Sequence, residues 1–72
     1  MKLSILNNEK TTINQVVGMI MLVLNCDEKQ ATIFAEQAHN TGAAEILEVD
    51  DFKRADEVMR LFSLIEVNVE VK

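Results

Sequence analysis

An unbroken run of hydrogen-bonding side chains, Asn7 to Thr12 (NNEKTT), follows an alternating apolar segment and precedes a helical one. A turn and a helix cap account for part of it. Asn tolerates turn geometry, and Thr accepts from free N–H groups at a helix start. The chain has one histidine, His39, and one cysteine, Cys26. Nucleophilic catalysis needs a nucleophile beside a base, and these two residues are the obvious pair. Cys26, however, falls at a break between two helices among ordinary core residues and reads as structural. No catalytic set is therefore expected, and the chain is not read as an enzyme. No CxxC or Cys/His cluster suggests a metal, and no cofactor motif is present. His39 ends the second helical segment, where a cation complements the helix dipole or where a binding site can use its ring.

The elements that position these residues follow from periodicity. In KLSIL, Leu3 and Ile5 alternate with Lys2 and Ser4, which predicts a strand. From Thr12 the period changes. Ile13, Val16, Val17, Ile20, Val23 and Leu24 form one helical face, with Thr12 and Gln15 as a capping box. Met19 and Leu22 widen the apolar arc, so this helix is expected to be covered on two sides, with Gly18 marking a close backbone approach. Asp27 with Gln30 predicts a second capping box. The helix it opens carries an inner stripe of Ala31, Phe34, Ala35 and Ala38 and stops at Gly42. A stripe of small residues either lets helices approach closely or leaves room for a ligand.

AAEILEV predicts a strand with Leu47 and Val49 on one face, although Ile46 breaks the alternation. Asp50 and Asp51 cap a third helix with a stripe of Phe52, Ala55, Val58 or Met59, and Phe62. IEVNVEVK is the cleanest alternating pattern and predicts a last strand from Ile65 onward. The order β-α-α-β-α-β gives an α+β two-layer sandwich, a three-stranded antiparallel sheet with helices on one face, as a single domain over residues 1–72.

Composition narrows the function classes. With 49% hydrophobic and 26% charged residues the chain should be ordered throughout. A net charge of −5, with seven scattered basic residues, argues against nucleic acid. No apolar stretch approaches the ~20 residues that span a bilayer, and the start is too short in apolar residues for a signal peptide. A lone cysteine fits a reducing cytoplasm.

The stretches ILNNEKT, VV, EKQAT and AHNTG together resemble the ClpS family, adaptors of the ATP-dependent Clp protease. That family carries N-D-D-x-T-P after its first strand, an apolar helix, an A-T pair early in the second helix and V-H-x-x-G at its end. Asn7, Asn8, Glu9 and Thr11 match the first motif, Ala31 and Thr32 the pair, and Ala38, His39 and Gly42 the last. The spacing from Asn7 to His39 needs no gap.

The resemblance implies an adaptor that binds a bulky hydrophobic N-terminal residue, an N-degron, and presents its bearer to a ClpA-like AAA+ unfoldase. An α-ammonium offers three donors and a positive charge, so its receptor must supply acceptors and negative potential beside an apolar pocket. By resemblance, Asn7 and His39 accept from the ammonium, while Asn8 and Glu9 shape the loop and Glu9 adds charge. Thr11, Ile13, Val16, Ala35 and Ala38 border the apolar pocket. A monomer is expected.

Departures from the family pattern are specific. Asn8 is an amide where the family has an acid, which lowers the local negative potential. Thr12 replaces a proline. Ala35 and Ala38 stand where Met and Val are usual, and Ile13 where a gatekeeping Met is. The third-helix A-E-T-K of the unfoldase-docking surface reads ADEV from Ala55, with Val58 for Lys, and the chain begins at Met1 without the family's flexible extension. The alternative is a protein-interaction domain of the same fold that does not bind N-degrons. The C-terminal domain of the ribosomal stalk protein is similar in architecture and in its ending, but lacks the Asn-to-His pattern.

Overall fold

A computed structural model describes all 72 residues, in the order β1 (Lys2–Leu6), α1 (Ile13–Leu24), α2 (Glu28–Thr41), β2 (Ala43–Glu48), α3 (Phe52–Ser63) and β3 (Val69–Val71). The first strand is central. The sheet order is β2-β1-β3 and both pairings are antiparallel, so Leu3 and Ile5 lie under the helices and are wholly buried. Ser4, on the opposite face, sits between Glu45 and Glu70.

The break in alternation at Ile46 has a geometric cause. Leu3 pairs with Leu47 but Ser4 pairs with Glu45, so Ile46 is the extra residue of a β-bulge. The bulge turns Ile46 inward as well as Ala44, and both are buried. Leu47, anticipated on the buried face with Val49, is only half-buried.

Caps fix where the helices start and stop. Thr12 and Gln15 form the complete capping box of α1, and α1 ends on Asn25 in the left-handed region at φ 52°. Asp27 accepts from the Gln30 N–H at 2.8 Å, but this cap is only half of the expected box, because the Gln30 side chain does not reach back. Gly42, at φ 92°, closes α2 with its N–H on the Ala38 carbonyl, a conformation that suits glycine. At α3 the cap is Asp51 alone, through the Arg54 N–H. Arg54 also donates Nη2 to the Val23 carbonyl at 3.1 Å, satisfying an orphan acceptor at the end of α1.

The last strand is shorter than its alternation suggests. Past α3 the chain makes a further turn and reverses at Glu66, which adopts φ 61°. The Val67 N–H reaches the Phe62 carbonyl at 3.0 Å and the Glu66 N–H the Ser63 carbonyl at 3.1 Å. These are the two bonds of a Schellman closure, and the apolar pair that accompanies it is Phe62 with Val67, both buried. Val67 is therefore inside because it terminates a helix, and its agreement with a strand period is accidental.

All 15 buried residues are hydrophobic. Ala31, Ala35 and Ala38 turn α2 toward the core, and Val17, Ile20 and Val23 do the same for α1. Three expectations fail at the helix surfaces. Gly18 is exposed and a Cβ there would meet nothing within 4 Å, so no backbone crosses it. Leu22 is 67% exposed, leaving α1 covered on one side. Phe52 is 79% exposed and Met59 faces outward, so the buried stripe of α3 is Ala55, Val58 and Phe62. A three-stranded sheet is too small to cover more than one stripe per helix.

Candidate functional site

Pairing of β1 with β2 sets the site. Leu6 lies opposite Ala43, and one step further the Asn7 N–H donates to the Gly42 carbonyl at 2.9 Å. Because Gly42 is the stop of α2, this bond seats the loop after β1 against the last turn of that helix, which carries His39. Residues far apart in the chain are thus neighbours through main-chain ladder geometry.

Between them lies a cleft of about 230 Å³ lined by Asn7, Asn8, Glu9, Thr11, Ile13, Ala35, Ala38 and His39. Drug-sized ligands occupy pockets of about 300–1,000 Å³, so this cleft is smaller than those and matches a group of side-chain size. The structure brings together eight of the nine residues singled out from the sequence. Val16 is the exception: it is half-buried against the core and does not reach the cleft wall. The alanine stripe of α2 is buried in the packing and along part of its length also borders open space. Ala31 is wholly buried in the packing, whereas Ala35 and Ala38 also border the cleft.

The side chains that hydrogen-bond in the loop and at the start of α1 are those of Asn8, Thr11, Thr12 and Gln15. The Asn7 carboxamide, the Glu9 carboxylate and the His39 imidazole are exposed and uncommitted, and none is in an ion pair. They stand at the C-terminal end of α2, where the helix dipole carries partial negative charge. At the start of α1 the Thr12–Gln15 box occupies the N–H groups of Thr12 and Gln15, which leaves them unavailable to an anion. A cationic group is consequently favoured over an anion, with acceptors available on one side and the apolar groups of Ile13, Ala35 and Ala38 on the other. No group of His, Cys, Asp and Glu in the structure is arranged to hold a metal ion.

The model of the family "ATP-dependent Clp protease adaptor protein ClpS" matches residues 1–63. The chain belongs to the ClpS family. That span contains every cleft residue and all three helices, and the family is one of Clp protease adaptors. No curated protein matches the chain. For a ClpS member, one feature of the loop carries no signal in the sequence: its partner is the main chain of the turn after α3, at Ile65 and Glu66. Side-chain identity at those two positions does not announce a role for their carbonyls. The ClpS-like match on α3 also needs revision, since Val58, at the position of the docking lysine, is wholly buried. A partner cannot touch it, so that position belongs to the core of this protein. No helix is long and apolar enough to cross a membrane.

Proposed function

We propose that this ClpS-family protein binds the N-terminal residue of substrates bearing a bulky hydrophobic N-degron and presents them to a Clp AAA+ unfoldase. The supporting observation is the pairing, in one small cleft, of three uncommitted polar side chains with an apolar wall. Asn7 Oδ1 and a ring nitrogen of His39 accept from the α-ammonium, and Glu9 supplies the compensating charge. Ile13, Ala35 and Ala38 enclose the first side chain, and Thr11 borders the pocket. The chain acts by binding, without a catalytic step, as a monomer in the cytoplasm.

The test is fluorescence anisotropy with labelled peptides that begin with Phe, Leu, Tyr or Trp, beside N-acetylated controls. Binding of the free-amine peptides and loss of it on acetylation are expected. Failure with both aromatic and leucine N-termini sinks the reading, and capture of a Clp unfoldase by the peptide-loaded protein tests presentation.

A further inference from the structure

We propose that Asn8 and Thr11 are positioning residues that fix the ammonium-binding loop by gripping the main chain of the turn between α3 and β3. The inference rests on the N-degron reading for its functional consequence, though not for its geometry.

The Schellman closure engages the carbonyls of Phe62 and Ser63 and leaves those of Ile65 and Glu66 pointing elsewhere. The loop takes both. Thr11 Oγ1 donates to the Ile65 carbonyl at 2.7 Å, and Asn8 Nδ2 donates to the Glu66 carbonyl. Asn8 is occupied at its other atom as well, because Oδ1 accepts from the Lys10 N–H at 3.0 Å. The Thr11 N–H returns to the Asn8 carbonyl at 3.1 Å and closes the turn. These contacts join segments 54 and 58 residues apart. Asn7 and Glu9, on either side of Asn8, are held as a consequence.

This use of Asn8 requires an amide. A carboxylate keeps the acceptor for Lys10 but has no donor for Glu66, and it would place negative charge against a carbonyl oxygen. Glu66 contributes through its backbone. Its positive φ is uncommon for a residue with a side chain, and it is the point where the chain reverses beneath the loop. The amide at Asn8 is thus a requirement of the loop and not a weakened ligand for the ammonium.

The opposing expectations separate cleanly. If Asn8 were itself an ammonium ligand, Asn8→Asp would tighten binding by adding charge. As a positioning residue, Asn8→Asp loosens the loop and weakens a Phe-initiated peptide by about tenfold, at least as much as Asn8→Ala does. Thr11→Val, which keeps the shape and removes the donor, weakens it by about fivefold, whereas Thr11→Ser restores affinity to within about twofold. The Thr11 pair carries the test if the Asn8 variants fail to fold. Binding by Asn8→Asp that equals or exceeds the natural chain, or equal binding by Thr11→Val and Thr11→Ser, overturns the proposal. Amide spectra separate it from the N-degron reading. If the natural chain ignores the peptide, that reading falls, while displaced signals of Glu66 and Val67 in Asn8→Ala without peptide still support the clamp, and unmoved signals remove it.

Discussion

Replacing Glu66 by glycine should stabilise the protein, although it deletes a charged side chain. Glu66 holds φ 61°, where an L-residue carries a steric cost of roughly 1–2 kcal/mol that glycine avoids. Its side chain is exposed and takes part in no ion pair, so little favourable interaction is lost. Against this gain stands the larger conformational freedom of glycine in the unfolded chain, about 0.4–1 kcal/mol. The balance is about 0.5–1 kcal/mol in favour of Glu66→Gly, or an increase in melting temperature of about 3–6 °C for a domain of this size. The chain has neither Trp nor Tyr, so the assay is urea and thermal unfolding followed by far-UV circular dichroism. A β-branched residue is the opposite control: Glu66→Val should cost about 1 kcal/mol or more. A glycine variant less stable than the natural chain, or a valine variant equal to it, would refute the reading of Glu66 as a strained reversal point.

Gly18→Ala should raise stability by about 0.5–1 kcal/mol, because the position is mid-helix and open; a lower urea midpoint would refute the openness of that position. Gly42→Ala should lower it by about 1 kcal/mol or more, since φ 92° disfavours a Cβ even in open space. Arg54→Met removes the hydrogen bond to the Val23 carbonyl and should cost about 1 kcal/mol, whereas Glu57→Gln breaks only an exposed ion pair and should stay within about 0.5 kcal/mol. In peptide titrations, Asn7→Ala and His39→Ala should each reduce affinity by at least about tenfold with unfolding midpoints unchanged, both side chains being exposed; retained affinity in either variant would remove that residue from the site.

Much of the architecture was legible in the chain because it depends on local chemistry. Alternation at Leu3 and Ile5, the Thr12–Gln15 box, the Asp27 and Asp51 caps and the Gly42 stop all act within a few residues, and each fixed an element boundary. The grouping of Asn7 with His39 in one cleft was legible too, through the resemblance to ClpS, because the two residues sit on sequence segments whose ends the caps define. Where apolar periodicity was the only guide it overreached. Leu22, Phe52 and Met59 fit helical stripes yet face solvent, since hydrophobicity shows which residues could be covered but not how much surface three strands provide.

Tertiary structure alone decided the rest. The bulge at Ile46 depends on the register of β2 against β1, a property of two strands and not of either. The shortness of β3 depends on a helix closure that buries Val67 with Phe62 across a reversal at a non-glycine residue. The loop clamp depends on carbonyl groups, which every residue carries and which no side-chain pattern can mark. Asn8 shows the difference most sharply. As a letter in the sequence it is an acid's replacement with less charge; folded against Glu66, it is a donor that an acid could not supply.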